Sequence, residues 1–413
     1  MNQSKSLFKI FLTNFTFFLS LGLQAQNILL SPQAEISLIT VSPGADLFSM
    51  YGHTAIRIND PAVGMDIVFN YGTYDFSTPN FLTKFVLGKL PYQLSAGYYD
   101  NFRTRNTEEN HSIIEQVLNF SPAEKQAVAS FLETNYLPEN RSYLYDFFFD
   151  NCSTRARDLV KKTTPNNVIF PTKIKGKQMS FRQMVGIYQA PHTWADFGVD
   201  LVMGLPSDRL ATPWEYMFLP DYLMQGFDET RINSSVSDSL GRAPGLQPFV
   251  KQTNQVFKAS GAPVVSTFIT PLLVFWLLFL AVAIYTYFQV KNHRISHTLD
   301  IILFSLIGLL GCILLFLWVG TDHKAFANNL NVFWALPLHL PVAFLLLKKE
   351  KPKFLKIYFL ITTLLLVIIA IAWKILPQEF HPAVYPLVLT LALRAWFISK
   401  SGIALKRTAN PYK

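Results

Sequence analysis

Residues 143–162 read YLYDFFFDNCSTRARDLVKK, and a change of pattern inside this stretch decides the fold. Its first half is apolar and aromatic as far as Asn151, which predicts a strand or a strand-like run. Its second half, from Cys152 onward, is typical of a helix that begins at the cysteine. The sequence therefore predicts a thiol at the first turn of a helix, directly after a strand.

A cysteine at the start of a helix has the surroundings of a nucleophile. The positive end of the helix dipole and the unpaired backbone N–H groups there lower a thiol pKa and can stabilise an oxyanion. The plain alternative is a buried structural cysteine, which is the commoner case for a lone cysteine. The polar run Asn151, Ser153, Thr154 and Arg155 weighs against full burial and favours the catalytic interpretation of Cys152.

A catalytic thiol needs a base, which is usually a histidine that is distant in sequence and adjacent in space. Among the eight histidines, His53 is the best candidate, because it follows Tyr51-Gly52 at the start of a predicted strand. His111 and His192 are weaker candidates. Taken alone, His53 would more often be a strand histidine with ordinary hydrogen bonds, and the pairing with Cys152 is what favours its role as the base.

A third group should orient the imidazole and fix its tautomer. The strand expected to form a hairpin with that of His53 offers Asn70 or Tyr71. Adjacent residues of a strand point to opposite faces, so a register slip of one residue exchanges the two. Both therefore stay candidates.

The N-terminal half mixes strand and helix patterns, which predicts an α+β domain. Ser121-Pro-Ala-Glu124 is a capping box with proline at the first helical position, so a helix should run from there to about Tyr136. Four segments are rich in β-branched and aromatic residues and are separated by turn formers, which is typical of strands. They are EISLITV (35–41), GHTAIRI (52–58), DIVFNYGTY (66–74) and HSIIEQVLNF (111–120).

The composition indicates a membrane protein. Half of the 413 residues are apolar and 15% are charged, where a soluble protein carries about 25% charged residues. The formal charge of +9 does not indicate a nucleic-acid partner, because no basic run is interleaved with aromatic residues. Many of the lysines instead lie beside apolar runs, where retention of positive charge in the cytoplasm explains them.

Five apolar runs follow the N-terminal domain, each near the ~20 residues that cross a bilayer. They cover residues 268–289, 301–320, 330–347, 355–373 and 380–398. An external N-terminal domain places the basic loops 291–297 and 348–353, and the tail with Lys406 and Arg407, in the cytoplasm. The outer loops then hold only Lys324 and Lys374, as the positive-inside rule requires.

Residues 1–25 have the pattern of an export signal: Lys5 and Lys9, then FLTNFTFFLSLGL, then a small-residue cleavage site that ends at Ala25. An uncleaved anchor is the alternative. The expected organisation is a signal at 1–25, a periplasmic thiol-catalytic domain at 26–261, a five-span membrane domain at 262–400 and a cytoplasmic tail at 401–413. Cys312 lies in the middle of an apolar run, so Cys152 should be a free thiol in an oxidising compartment.

The elements YGHTAIRI (51–58), NYGTYDF (70–76) and DFFFDNCSTR (146–155) resemble the permuted branch of the NlpC/P60 papain-like superfamily, in which the histidine strand precedes the cysteine helix. The whole chain resembles more closely the Lnb family, with a periplasmic DUF4105 domain followed by membrane spans. The segments FGVDLVMGLPSD (197–208), MFLPDYL (217–223) and TDHKAFANNLNVFWALPLHL (321–340) also resemble that family. The likeness covers nearly the whole mature chain.

The resemblance implies an enzyme of the bacterial inner membrane that acylates lipoproteins. An acyl chain would pass from a phospholipid, through a thioester on Cys152, to the α-amine of a diacylglyceryl-cysteine lipoprotein. The reaction would need no metal and no cofactor. Two alternatives are a membrane-anchored cysteine amidase or peptidase acting on cell-wall peptide, and a non-catalytic envelope scaffold in which Cys152 has no chemical role.

Further candidates for substrate binding lie in the outer loop and in the membrane part. Polar residues at membrane depth are costly and are functional candidates by default. These are His323, Asn329, Asn331, Trp334 and His339, with interfacial anchoring as the plain explanation for Trp334. Arg155, Arg57 and Arg182 are candidates for contact with lipid phosphate, although ion-paired or solvated arginines are commoner.

Overall fold

The structure is a computed structural model of the full chain, and it describes residues 29–46, 49–165, 167–234, 245–261, 268–293 and 295–407. The predicted export signal at 1–25 lies outside the described residues, as does the end of the predicted tail, 408–413. The architecture is mixed α and β, with a sheet-rich N-terminal domain followed by apolar helices. The α+β prediction is confirmed to this extent.

A seven-stranded antiparallel sheet is the frame of the N-terminal domain. Its spatial order is β10-β5-β1-β2-β3-β4-β6, so the last strand of the domain pairs with β5 at one edge. The strands are β1 (Glu35–Val41), β2 (His53–Asp60), β3 (Met65–Thr73), β4 (Pro91–Tyr98), β5 (Ile113–Leu118), β6 (Ser142–Leu144) and β10 (Val250–Phe257). A second sheet of three short strands contains β7 (Val168–Ile169), β8 (Arg231–Ser234) and β9 (Gly245–Pro248). All four segments predicted as strands contribute a strand to the larger sheet.

Helices cover one face of the sheet. Every second residue of β1, β2 and β3 points to this face, and most of these residues are apolar. On this face lie α3 (Pro122–Tyr136) and α4 (Cys152–Thr163), with Val128, Leu132, Leu159 and Val160 in the same buried cluster as Ile56 and Phe69. The opposite face carries α2 (Tyr99–Glu108) over a smaller cluster. Since both faces are covered, β1 is buried at every position after Glu35.

Local signals set the ends of the helices over the sheet. The Ser121 side chain accepts a hydrogen bond from the Glu124 N–H, and the Ser121 N–H donates one to the Glu124 carboxylate, so the predicted capping box is confirmed. Four further helices form the rest of the domain: α5 (Phe181–Gln189), α6 (Thr193–Val202), α7 (Pro213–Tyr216) and α8 (Pro220–Glu229). The segment 74–90, which contains the short helix α1 (Phe81–Val86), connects β3 to β4.

The aromatic run before the cysteine is not a strand as far as Asn151, which corrects the prediction. Strand β6 ends at Leu144, and the backbone then turns back on itself, with Asp146 and Asp150 joined by a pair of backbone hydrogen bonds. The Asp146 carboxylate accepts the N–H groups of Phe148 and Phe149, which fixes the turn. Local side-chain acceptors of this kind compete with strand pairing.

Three helices of the C-terminal part are long and apolar enough to cross a membrane: α9 (Pro271–Lys291), α10 (Thr298–Val319) and α13 (Phe354–Ala372). The apolar run predicted at 330–347 is not one continuous helix. It consists of α11 (Asn331–Trp334) and α12 (His339–Leu345), separated at Pro337, which has no N–H for a helical hydrogen bond. The last apolar run forms the helix α14 (Val384–Arg407). This helix has 24 residues and includes the buried Arg394.

A buried ion pair joins three of these helices. Arg394 of α14 donates two hydrogen bonds to Asp300 of α10 at 2.6 and 3.0 Å, and others to Thr286 and Gln289 of α9. His297 approaches the same carboxylate at 2.9 Å. A charge so deeply buried persists only with such partners, so the network fixes the packing of α9, α10 and α14.

Candidate active site

Cys152 is the first residue of α4, and the residue before it shapes the helix start. The Asn151 side-chain oxygen accepts the N–H groups of Ser153 and Thr154, both at 2.9 Å. Its amide nitrogen donates to the backbone carbonyls of Phe147 and Phe218, so this buried cap is anchored on both sides. The Asn151 side chain does not accept a hydrogen bond from the N–H of Cys152, which is the remaining donor at the helix start.

A hydrogen bond between hydroxyls attaches this helix start to the strand of His53. The Oγ of Ser153 and the Oγ1 of Thr54 are 2.9 Å apart, and both side chains are buried. The residue after the cysteine is thus bound to the residue after the histidine. The backbone N–H of Thr54 also donates to the Cys152 sulfur. Thr54 was not among the predicted site residues, although Thr54 and Ser153 are polar residues adjacent to the two candidates.

His53 and Asn70 stand where the strands β2 and β3 separate. The pairing of the hairpin runs from Asp60–Met65 to Ile56–Phe69. Beyond that point, the Nε2 atom of His53 lies 3.2 Å from the Oδ1 atom of Asn70, and the Cys152 thiol is hydrogen-bonded to the His53 ring. The structure therefore brings Cys152, His53 and Asn70 together.

The thiol and the imidazole shift each other's pKa. Burial opposes ionisation of both, but the charge and the hydrogen bond of His53 outweigh it and hold the pKa of Cys152 below its usual range. In the same way, Cys152 and the hydrogen bond to Asn70 raise the pKa of His53 in spite of burial. A lowered thiol pKa beside a raised imidazole pKa favours transfer of the thiol proton to the imidazole, and the thiolate–imidazolium pair is the reactive form of a nucleophilic cysteine.

Tyr71, the other candidate for orienting His53, points to the opposite face of the strand. Its hydroxyl donates to the Oδ1 atom of Asn135 in α3 at 2.6 Å, and its ring is packed in the core below α4. Alternation along β3 places Asn70 on the side of His53, so the geometry favours Asn70 for that position. The two weaker histidine candidates lie elsewhere: His111 is next to Glu109, and His192 is the residue before the first turn of α6, without a side-chain capping bond.

Gly72 lets the backbone of β3 pass close to the cysteine. Its φ is +88°, and a Cβ there would be 3.4 Å from the Tyr145 ring and 3.9 Å from the Cys152 Cβ. The register of β3 with β4 shifts between Asn70 and Thr73 around this glycine. A positive φ and a close approach both favour glycine at this position. Gly72 was not among the residues predicted to shape the site.

We expect Gly72→Ala to lower the free energy of unfolding by about 1–2 kcal/mol, because alanine is strained at a positive φ. Chemical denaturation of the detergent-solubilised protein measures this change. Gly97→Ala in β4 is the matched control, since a Cβ at Gly97 meets no atom within 4 Å and its φ is ordinary. Equal effects of the two substitutions would contradict the constraint at Gly72.

Tyrosines form the wall beside the thiol. Burial, and then the nearby Cys152, raise the pKa of Tyr145 well above its ordinary value, so its hydroxyl stays protonated. Tyr92 packs against the Tyr145 ring at 4.5 Å, and burial raises the pKa of Tyr92 to about 12. The Tyr143 hydroxyl is buried and has no hydrogen-bond partner among the described residues. These neutral aromatic groups give the thiol an apolar surround.

The arginines proposed for phosphate contact are already paired with carboxylates. Arg155 binds Asp150 with two hydrogen bonds at 2.6 and 2.8 Å and lies over the Tyr143 ring. Arg57 binds both Asp66 and Glu115. Arg182 is buried between Asp200 and Asp208. Each guanidinium is thus neutralised within the fold, as arginines commonly are.

His323, from the loop after α10, lies beside the N-terminal domain. Its Nε2 atom is 3.0 Å from the Phe85 carbonyl oxygen, and its ring stacks on Phe147 with centroids 5.2 Å apart. A small pocket is lined by His323, Phe147, Tyr145, Tyr92, Leu90, Gly88 and Phe85. Since Tyr145 also adjoins Gly72 and Cys152, this loop and the thiol share one aromatic wall.

The other polar residues of the membrane part have structural partners. Asn329 and Asn331 both donate to the Leu201 carbonyl at the end of α6, at 2.8 and 3.1 Å. The Trp334 N–H donates to the Asn331 side-chain oxygen. His339 lies deeper, with its Nδ1 atom 2.7 Å from the Tyr358 hydroxyl. The structure thus brings none of these four to Cys152, and the two asparagines join the membrane part to the N-terminal domain.

Metal ligands are not assembled in the part of the chain that the structure describes: it holds no group of three or more histidine, cysteine, aspartate or glutamate side chains that suits a metal ion. The residues gathered around Cys152 are a thiol, an imidazole, an amide and phenols. This set is suited to nucleophilic and acid–base chemistry.

Two family models match the chain on either side of the segment 177–263. The Lnb N-terminal periplasmic domain matches residues 24–176, and the Lnb transmembrane domain matches residues 264–403. The chain belongs to the Lnb family. The predicted Lnb resemblance is confirmed, and no curated protein and no solved structure matches the chain.

Membership of the Lnb family explains why the molecule is divided into a periplasmic part and a transmembrane part. The match to the periplasmic domain contains His53, Asn70 and Cys152, and the match to the transmembrane domain contains α9 to α14. This Lnb-family protein is therefore membrane-anchored, with a periplasmic part that holds the candidate active site. Helices α5 to α8 and the edge strand β10 lie between the two matched segments.

Proposed function

We propose that this chain is a lipoprotein N-acyltransferase, which moves an acyl chain from a phospholipid, through a thioester on Cys152, to the α-amine of a diacylglyceryl-cysteine lipoprotein. The observation that carries the proposal is the hydrogen-bonded set of Cys152, His53 and Asn70 at a helix start. The set is oriented toward an aromatic wall shared with an outer loop of the membrane domain.

In the first step the Cys152 thiolate attacks the carbonyl carbon of a phospholipid ester. The N–H of Cys152 stabilises the oxyanion of the tetrahedral intermediate, with the unpartnered Tyr143 hydroxyl as a second donor. Collapse of the intermediate breaks the ester C–O bond. The His53 imidazolium gives its proton to the departing oxygen, so lysophospholipid leaves as an alcohol and the acyl chain stays on sulfur.

In the second step the neutral α-amine of the lipoprotein attacks the thioester carbonyl. An unperturbed α-amine has a pKa of about 7.7–8.0, so a useful fraction is neutral near pH 7. His53 accepts the proton that the amine loses as the C–N bond forms. Cleavage of the C–S bond yields an amide and regenerates the thiolate–imidazolium pair. The apolar aromatic wall keeps water from competing with the amine.

The proposal includes the finer features of fold and location. A cysteine helix packed on an antiparallel sheet, with the histidine strand earlier in the chain, supports a permuted papain-like domain. Helices α11 and α12 together, and α14, would be the further crossings of a five-span domain in the inner membrane. The basic loops at 291–297 and 348–353 support a cytoplasmic position for those loops.

The deciding experiment looks for the acyl-enzyme. Purified protein, given phospholipid with a labelled acyl chain and no lipoprotein, should accumulate label that neutral hydroxylamine removes. Cys152→Ala should carry none. Mass spectrometry of lipoprotein N-termini, with and without the protein, should then show the added acyl chain on the α-amine.

Two outcomes would contradict the proposal in different ways. Cleavage of cell-wall peptide with no acyl adduct would make the protein a cysteine amidase or peptidase with the same thiol and histidine. Full lipoprotein acylation by Cys152→Ala would remove the thiol from the chemistry, as a scaffold with an inert cysteine requires.

A further inference from the structure

The segment 74–90, between β3 and β4, exposes apolar side chains that the described residues of the chain leave uncovered. Phe76 is 71% exposed, Leu82 75% and Val86 42%. Single exposed apolar residues are ordinary on a protein surface, whereas several together mark an interaction site. Lys84 and Lys89 belong to the same short segment. Apolar side chains with neighbouring lysines are the composition of an interfacial membrane contact.

Hydrogen bonds hold this segment at the end of a membrane-spanning helix. Helix α10 ends at Val319, and the Asp322 N–H, three residues later, donates to the Leu87 carbonyl at 2.9 Å. The next residue, His323, lies 3.0 Å from the Phe85 carbonyl. At Gly88, a Cβ would be 3.3 Å from the backbone of these two residues, so the approach is close. The segment 74–90 is therefore at the level where α10 leaves the bilayer.

A continuous set of aromatic rings connects this segment to the sulfur. Tyr74 contacts Phe76 and Phe81, with centroids 5.1 and 5.7 Å apart, and it also contacts Tyr92 at 5.3 Å. Tyr92 contacts Tyr145 at 4.5 Å. The Tyr145 ring adjoins Gly72, next to Cys152. An apolar chain that enters at Phe76 thus meets aromatic surface all the way to the thiol.

We propose that the outer leaflet of the bilayer covers Phe76, Leu82 and Val86, and that the acyl chain of the donor lipid leaves the leaflet along the rings of Tyr74, Tyr92 and Tyr145. The occupant of the exposed surface is lipid rather than a second protein, because the surface is continuous with the membrane end of α10. The lysines of the segment suit the phosphates of the headgroups. The part that concerns the acyl chain rests on the proposed function.

The membrane contact is tested by a depth measurement that needs no catalysis. In a Cys152→Ala/Cys312→Ser background, Leu82→Cys is labelled with an environment-sensitive fluorophore. The protein is placed in bilayers of phosphatidylethanolamine and phosphatidylglycerol with or without brominated acyl chains. We expect the bromines to quench the fluorophore at position 82, since contact with lipid tails is required for quenching.

Val63 gives the matched control. It is an exposed apolar residue, 61% accessible, in the turn after β2. The strand β3 separates it from the start of the segment 74–90 by about 25 Å, at 3.2–3.4 Å per residue. Val63→Cys, labelled in the same background, should not be quenched. Absence of quenching at position 82, or equal quenching at both positions, would overturn the membrane contact.

The proposed path of the acyl chain is tested by placing a charged side chain at its entrance. Leu82→Asp should slow formation of the Cys152 adduct from vesicle phospholipid by about 10-fold or more, because it removes the burial of a leucine in lipid. Val63→Asp should not. Both variants should react with a water-soluble short-chain thioester at the wild-type rate, which shows that the thiol is intact. Equal slowing with both donors would overturn the path.

The outcomes separate this inference from the proposed function. If the wild-type protein forms no acyl adduct with any donor, the proposed function is wrong, while quenching at position 82 still decides the membrane contact. If the adduct forms at the wild-type rate in Leu82→Asp, the acyl-transfer proposal survives and the path along the aromatic rings is wrong.

Discussion

Cys152→Ser is expected to lower the rate of acyl-adduct formation by about 10⁴- to 10⁶-fold, the range for loss of a catalytic nucleophile. A serine hydroxyl stays protonated next to His53, because its pKa is far above that of a thiol. An oxygen ester is also much less reactive toward amines than a thioester. The measurement is the initial rate of label transfer from phospholipid in the purified variant, compared with the wild type.

Cys312→Ser is the matched control for this prediction. Cys312 is the other cysteine of the chain, and it lies within α10 in the membrane part. This variant should form the adduct at the wild-type rate. Loss of the adduct in Cys312→Ser, with retention in Cys152→Ser, would place the reactive thiol in the membrane and refute the assignment to α4.

His53→Ala is expected to slow adduct formation by about 10²- to 10⁴-fold, the usual contribution of a general acid–base group. It should also change the pH dependence of thiol reactivity. His53 holds the pKa of Cys152 below its usual value, and burial acts in the opposite direction. Without His53 the largest opposing influence is lost, and burial is then opposed only by the hydrogen bonds from Thr54 and Ser153, so the pKa of the thiol should rise. The rate of alkylation by iodoacetamide, followed against pH, measures the change.

The direction of the pH effect follows from the pair. In the wild type the thiolate is populated at pH values below the ordinary thiol pKa, and alkylation should remain fast near neutral pH. In His53→Ala the same rate should be reached only at a more alkaline pH. Tyr71→Phe, which loses only the hydrogen bond to Asn135, should keep the wild-type profile. An unchanged profile in His53→Ala would exclude the thiolate–imidazolium pair.

Local signals in the sequence predicted most of the elements that position the candidate site. The helix that begins at Cys152 and the strand that begins at His53 depend on neighbours in the chain, such as the polar cap and the alternation of apolar residues. The hairpin partner of the His53 strand followed from the turn between them. The register of the two strands could not be predicted from the turn. Asn70 and Tyr71 were therefore equally good candidates for orienting His53 until the faces of β3 were known.

Contacts between distant segments could not be predicted in the same way. Ser153 bonds to Thr54 across 99 positions, and Arg57 meets Glu115 across 58. No local pattern indicates such partners, so the arginines remained candidates for phosphate until their carboxylates were located. The turn at Asp146 is a different case. Its aromatic neighbours favour a strand, and a single carboxylate that accepts two backbone N–H groups overrides them.

In the membrane part, hydropathy located the apolar runs but not their internal shape. Pro337 was visible within the run 330–347, yet proline occurs in continuous membrane helices as well as in broken ones. At the break, the backbone of residues 335–340 lies directly against Gly308 and Gly311 of α10. A pattern within one segment carries no information about such a neighbour.

The hydrogen bonds that the Asn329 and Asn331 side-chain amides donate to the Leu201 carbonyl would have a consequence for the choice of acceptor in the proposed reaction. They join the membrane part to the N-terminal domain, which would hold Cys152 at one constant distance from the membrane surface. In a diacylated lipoprotein the α-amine is on the same cysteine as the lipid, and it always lies at that surface whatever peptide follows. If the proposed function is right, the enzyme would select its amine by the distance of that amine from the membrane surface, and it would need no recognition of the peptide sequence that follows.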